Sequence, residues 1–266
     1  MIRICIAGAT GWTGSALVGA IRKSDRFELS GAVTRTTVGK DIGLVLGNQA
    51  LGVVISRSVA EALKAPTDVL IDYSHPTAVK ENVLTALQLG VPVVIGTSGL
   101  TTADFSEIQR VAKSKDLGVI AAGNFSITAA LAKHCALIAA KYLPHREILD
   151  YAQADKLDVP SGSARELAES LAHIRPNEIL KPVQDLLGPK EARGACVEGT
   201  QIHSLRLPGF TLAFETVFGL PDERLTIRHD AGTSAAPYVA GTLLAAERVL
   251  TTKSLIRGLD ALLFGQ

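Results

Sequence analysis

Gly8-Ala9-Thr10-Gly11-Trp12-Thr13-Gly14 spells G-x-x-G-x-x-G directly after one apolar run and at the head of a helical pattern. Such a turn reverses the chain within a few residues, offers bare backbone to a pyrophosphate, and aims the unpaired N–H groups of a helix start at its charge. Gly8, Thr10, Gly11, Trp12, Thr13 and Gly14 are therefore expected to bind a dinucleotide, the alternative being a tight strand-to-helix connection without a ligand. The second apolar run ends in Ala32-Val33-Thr34-Arg35-Thr36-Thr37, with no Asp or Glu to accept hydrogen bonds from the ribose hydroxyls. Arg35 offers a planar cation suited to a 2′-phosphate, so NADPH is expected ahead of NADH; the competing reading is a solvated loop arginine. Two further strings, Tyr73-Ser74-His75-Pro76 and Gly96-Thr97-Ser98-Gly99, fit a nicotinamide-ribose site, and each equally fits a turn chosen for glycine and capping.

A second centre lies in Lys156-Leu157-Asp158-Val159-Pro160-Ser161-Gly162-Ser163-Ala164-Arg165-Glu166. Ser163 with Glu166 has capping-box spacing, and Ser161-Gly162-Ser163 would form the first turn of a helix over Ala164 to His173. A carboxylate bound there would meet backbone N–H groups on one side and the Lys156 ammonium on the other. The alternative is a capped helix with a surface lysine.

These strings need a sheet to hold them. Apolar runs at Ile2 to Ala7, Phe27 to Val33, Val53 to Ile55, Val69 to Tyr73, Val91 to Gly96 and Leu117 to Ala121 alternate with helical patterns, the rhythm of βαβ units. The fold class is α/β, a doubly wound parallel sheet of Rossmann type. Beyond Asn124 a long Ala/Leu helix, Ile127 to Tyr142, precedes runs of alternating apolar and polar residues at Thr200 to Leu207, Thr211 to Phe218 and Arg224 to Arg228. That alternation marks half-buried strands of a mixed or antiparallel sheet. The segment Arg175 to Gly199 reads as a long loop with a short helix near Pro182 to Leu187, and the chain ends in helices over Ala235 to Leu250 and Leu255 to Leu263. Residues 1–125 with 235–266 are expected to form the dinucleotide-binding domain, and 126–234 an inserted α+β domain for substrate and oligomerisation.

Composition removes other classes. The 27 Lys+Arg and 26 Asp+Glu leave a net charge of +1, without the basic footprint of a nucleic-acid binder. Val119 to Ala140, the most membrane-like stretch, is interrupted by Asn124, Lys133 and His134 and falls short of a run of about 18 apolar residues. No membrane span is expected. Cys5, Cys135 and Cys196 are widely spaced and suggest neither a disulfide framework nor a thiolate cage; with a first strand where a leader would stand, the cytoplasm is the expected compartment. The six histidines show no metal-ligand spacing, and no G-x-S-x-G elbow is present. His203 and His229 lie on alternating strands from which either could reach the second centre.

Taken together, the motifs resemble the dihydrodipicolinate reductase family. Lys156 to Ala164 is similar to its K-x-D-A-P-S-G-T-A signature, Gly8 to Gly14 to its glycine turn, and Arg35 to its cofactor-phosphate arginine. Ile95 to Gly99 is similar to its I-G-T-T-G loop, and Ala122-Gly123-Asn124-Phe125-Ser126 to its A-x-N-F-S segment. The resemblance implies a homotetramer built by the inserted domain's open sheet, and hydride transfer from NADPH, or NADH, to a small cyclic dicarboxylate of imine type. It also implies cofactor contacts from Tyr73, Ser74, Gly96, Thr97, Ser98, Asn124 and Phe125 and substrate contacts from Gln153, Lys156, Ser161, Gly162 and Ser163. Lys156 would be the proton donor or charge stabiliser, and Asn124 to Ser126 would line the hinge between cofactor and substrate.

The departures are specific. Where the family usually has two histidines, this chain has Ala152 and Gln153; Trp12-Thr13 replaces a common Arg-Met, and Gly232-Thr233-Ser234 a common S-S-R. Alanine donates no proton, so Lys156, a bound water, Asp155 or Tyr151 must take over. Reduction of a different cyclic imine and a catalytically weak nucleotide-binding regulator are the two other readings.

Overall fold

The computed structural model describes residues 1–210 and 212–265. It divides into two compact units, one of Met1–Ile127 with the chain from Ala235 onward, the other of Thr128–Ser234.

The first unit is built on β1 (Ile2–Ala7), β2 (Phe27–Val33), β3 (Ile55–Ser56), β4 (Val69–Asp72), β5 (Val93–Ile95), β6 (Val119–Ala121) and β12 (Leu255–Arg257). They form a seven-stranded sheet in the order β12-β6-β5-β4-β1-β2-β3, every pair parallel. The order reverses at β1, the switch point beside which open α/β sheets bind ligands. Val69, Leu70 and Ile71 are fully buried, as expected of a parallel strand covered on both faces. The crossovers run through α1 (Trp12–Ile21), α2 (Ile42–Val45), α3 (Val59–Ala62), α4 (Val79–Gln88) and α5 (Thr102–Lys115), and α8 (Ala236–Arg248) and α9 (Leu259–Phe264) complete the unit. Local chemistry sets their ends. Thr101 and Asp104 close a capping box on α5, and Asp116 ends that helix in a left-handed conformation at φ 57°.

Leu255 to Leu263 is not one helix: Leu255–Arg257 pairs with β6, Gly258 breaks the chain at φ +93°, and only then does α9 begin. Three residues are too few for strand and helix periods to be told apart.

The second unit carries β7 (His145–Ala152), β8 (Ala195–Val197), β9 (Thr200–Arg206), β10 (Leu212–Leu220) and β11 (Glu223–Ala231) in the order β11-β10-β7-β9-β8. The β7–β9 pair is parallel and the others antiparallel, so the sheet is mixed. α6 (Ile127–Ala140) and α7 (Gly162–Ile174) supply Ala136, Leu167 and Leu171 to a core with Ile148, Ile202 and Phe218 from the sheet. Within the segment expected to be a long loop with a short helix near Pro182 to Leu187, that helix is a 3-10 turn, Val183–Asp185, and Ala195–Val197 is a strand. Among the described residues no helix is long and apolar enough to cross a membrane.

Candidate active site

In the first unit the glycine turn is shaped by contact with the β4 exit. Gly8 stands at φ +83°, and a Cβ there would overlap the Tyr73 carbonyl; a Cβ on Gly14 would overlap the Gly8 carbonyl. Both positions therefore require glycine. Gly11 caps α1 without a side-chain hydrogen bond, leaving the helix's first N–H groups open to a ligand. A pocket of about 280 Å³ lies against this turn and brings together Gly8, Thr10, Gly11, Arg35, Tyr73 and Ser74. These features fit a dinucleotide, whose pyrophosphate the bare turn would hold and whose nicotinamide would supply a hydride.

Other expected cofactor residues serve the frame around that pocket. The Tyr73 phenol is held by the Thr242 hydroxyl at 2.8 Å and packs edge-on to Phe125 at 6.3 Å; burial pushes its pKa up. A Cβ on Gly96 would strike the Tyr73 ring. Trp12, 55% exposed, meets Tyr238 edge-on, with Thr13 and the buried Gly14 following it in α1. Phe125 is buried, and the Asn124 side-chain oxygen accepts the Ser126 N–H at 2.8 Å. Ser98 lies on the loop after β5.

Asp72 is the organising group that sequence reasoning missed. Its fully buried carboxylate accepts the Ser74 hydroxyl at 2.8 Å and N–H at 3.0 Å, the Asn82 amide at 2.8 Å and the Thr97 hydroxyl at 2.6 Å. One carboxylate thereby ties both strand-end loops to β4. The signal was available, since an acid ending an otherwise apolar strand needs partners. Asp72→Asn turns one acceptor oxygen into a donor facing donors, and should cost about 1–3 kcal/mol of stability. Loss of loop order should also weaken NADPH binding, both effects being read by chemical denaturation and calorimetry.

In the second unit Ser161 caps α7 by accepting the Ala164 N–H, so the cap is Ser161 and not the expected Ser163–Glu166 box. Glu166 instead pairs with Lys133 at 2.8 Å, because α6 brings that ammonium alongside. The Ser161 N–H donates to Asp150 at 2.8 Å; Asp150, 1% exposed, also accepts from Ser204 at 3.0 Å and Arg206 at 2.8 Å. Burial pushes the Asp150 carboxyl up, but Arg206 and Ser161 outweigh it and hold it below the usual range. Arg206 reaches on to the Asp158 carbonyl at 2.9 Å.

The anion-holding donors sit on top of this base. Lys156 Nζ lies 2.6 Å from one Asp158 oxygen, and the other accepts the Gly162 N–H at 3.2 Å. The Lys156 ammonium holds the Asp158 carboxyl below its ordinary value. Gly162 and Ser163 are exposed, and a Cβ on Gly162 would meet nothing. Ala152 is fully buried at the end of β7, and Gln153, exposed, begins the loop. Tyr151 points to the other sheet face, donating to Glu215 at 3.3 Å beneath the Arg228 guanidinium, and burial pushes its pKa up. His203 is bound to Glu147 at 2.7 Å and His229 to Thr128 at 3.1 Å. Among the described residues no three His, Cys, Asp or Glu are grouped to hold a metal.

A parallel 3-2-1-4-5-6 sheet with a glycine turn at its switch point, followed by an α+β unit with a carboxylate-holding helix start, defines a two-unit nucleotide-dependent oxidoreductase. Residues 2–125 match the family model described as dihydrodipicolinate reductase, N-terminus, and residues 125–263 its C-terminus counterpart. The chain belongs to the dihydrodipicolinate reductase family. It is 37% identical over 261 residues to the 4-hydroxy-tetrahydrodipicolinate reductase of Desulfitobacterium hafniense (strain DSM 10664 / DCB-2), covering 97% of each chain. The reductase of that name from Geobacillus kaustophilus (strain HTA426) is 36% identical over 263 residues, with 98% and 99% covered. A dipicolinate-bound dihydrodipicolinate reductase from Paenisporosarcina sp. TG-14 superposes with a TM-score of 0.86 at 30% identity, covering 98% of both chains. As a member of this family the chain is an NAD(P)H-dependent oxidoreductase.

Proposed function

We propose that the chain reduces 4-hydroxy-tetrahydrodipicolinate to tetrahydrodipicolinate with NADPH, in lysine and diaminopimelate biosynthesis. The observation that carries this reading in the chain itself is the convergence of the Lys156 ammonium and the Gly162 N–H on one carboxylate. Asp158 supplies that carboxylate here, and a substrate carboxylate exchanging with it would meet the same two donors and the neighbouring Ser163 hydroxyl. The full-length relatives support the substrate, and the dipicolinate-bound neighbour supports a ring dicarboxylate as the class of ligand.

The reaction adds a hydride to one ring carbon, a proton to its neighbour, and expels the ring hydroxyl as water. Gly8, Gly11 and the start of α1 would hold the dinucleotide and Arg35 its 2′-phosphate, while Asp72 fixes the two strand-end loops that would meet the nicotinamide ribose. Lys156 carries the proton. Tyr151 is engaged on the far side of the sheet and Ala152 has no proton to give, leaving Lys156 as the cation on the loop. Gln153 and Ser161 to Ser163 complete the substrate contacts. We also infer a homotetramer, supported by a sheet whose core helices cover one face, and a cytoplasmic location, supported by three unpaired cysteines.

Steady-state oxidation of NADPH, and separately of NADH, with freshly generated 4-hydroxy-tetrahydrodipicolinate tests the reading. Turnover with a lower KM for NADPH is expected. NADPH binding without turnover would favour another cyclic imine, for which Ala152 and Gln153 are the specific observation.

A further inference from the structure

The pocket beside the glycine turn holds a second arginine. β3 pairs with β2 in parallel register, Ala32 opposite Ile55 and Val33 opposite Ser56, and the Thr34 N–H donates to the Ser56 carbonyl at 3.3 Å. Arg35 and Arg57 consequently leave neighbouring strands at the same level of the sheet's carboxyl edge, and both line the pocket that Gly8 and Gly11 line. No Asp or Glu lines that pocket, and among the described residues neither guanidinium forms an ion pair. The nearest acid in sequence, Glu61, is turned to the backbone, accepting the Arg57 N–H at 3.0 Å.

Two guanidiniums beside one acid-free pocket repel each other until an anion joins them. Each is a planar fork that can give two hydrogen bonds to a phosphate, and two forks suit a dianionic phosphate monoester better than one. A ribose hydroxyl offers no charge to either. We propose that Arg57 is a second phosphate-binding residue, which with Arg35 grips the 2′-phosphate of NADPH and sets the preference for NADPH over NADH. The inference rests on the reading of the glycine turn as the dinucleotide site and adds to it the residue that discriminates between the two cofactors.

The test is calorimetric binding to the full chain, without turnover, of NADPH, NADH, adenosine 2′,5′-bisphosphate and 5′-AMP. Arg57→Ala should raise the Kd of NADPH and of the bisphosphate about tenfold, the low end for losing a hydrogen bond to a charged group. NADH and 5′-AMP should bind as in wild type, which also verifies folding. Arg57→Lys should restore part of the loss, and the salt dependence of NADPH binding should flatten in Arg57→Ala. Equal weakening of NADPH and NADH would overturn the proposal in favour of a purely structural arginine. An unchanged NADPH Kd in Arg57→Ala, with Arg35→Ala still weakened, would overturn it in favour of Arg35 alone. If the wild-type chain binds neither dinucleotide, the cofactor reading itself falls and the proposal with it.

Discussion

Lys156→Ala is expected to lower kcat by about 10²- to 10⁴-fold, the range for loss of a positioned general acid. Ala152 is buried and its side chain carries no polar atom, Tyr151 is bonded to Glu215, and His203 is bonded to Glu147. Lys156 combines a transferable proton with a demonstrated carboxylate contact, 2.6 Å to Asp158. KM for the ring dicarboxylate should rise as well, because the same ammonium meets a carboxylate. Lys156→Arg separates the two roles: a guanidinium keeps the charge and holds its proton too firmly to deliver it, so KM should recover while kcat stays low. If kcat in Lys156→Ala stays within about threefold of wild type, general-acid duty passes to Asp155 or a water.

The second large effect concerns stability. Arg206→Ala should destabilise the second unit by about 3–5 kcal/mol at pH 7, the cost of stranding one partner of a buried ion pair. Asp150 is 1% exposed and would keep only neutral donors, Ser204 and the Ser161 N–H. The Asp158 carbonyl would lose its guanidinium contact too, so the Lys156 to Ser163 loop should loosen and substrate affinity fall. The pH dependence has a definite sign. In the wild type Asp150 titrates below the unfolded carboxylate value, so its stabilisation is present above about pH 4 and is lost as pH falls through the folded value. Without Arg206 only the Ser161 and Ser204 donors oppose burial, so the variant has less of this stabilisation to lose as the pH falls. The gap between the two proteins should therefore narrow between pH 7 and pH 4 in denaturant melts. A gap that does not change with pH would mean that Asp150 is not the group left stranded.

The two centres differed in how much could be read from residue order. Strands β1 and β2 and the glycine turn were legible because each obeys a local rule: an apolar run, then glycines where a Cβ has no room. α7 was legible from the serines and glycine that open it, but its cap is Ser161 and not Ser163, since both serines stand at the helix start and only the bond to the Ala164 N–H distinguishes them. β7 was hidden. Its residues His145 to Ala152 mix charge with apolar side chains, and Arg146 and Asp150 are buried by partners that lie far along the chain. Asp72 and Arg57 escaped for the same reason, as their importance comes from Asn82 and Thr97 in one case and from parallel register with β2 in the other.

The seventh strand bears on the order in which the molecule can be made. Leu255, Ile256 and Arg257 pair with Val119, Ile120 and Ala121, and the flanking Gly258 N–H closes onto the Ala121 carbonyl at 2.8 Å. On the ribosome β6 must wait, its outer edge unpaired, while the whole of Thr128–Ser234 is synthesised. The nucleotide unit is thus begun before the second unit and completed after it, and an apolar strand edge stays open to wrong partners throughout that interval. The β6 edge is covered only once β12 has emerged, which makes that three-residue strand a folding checkpoint for a partner made far earlier in the chain.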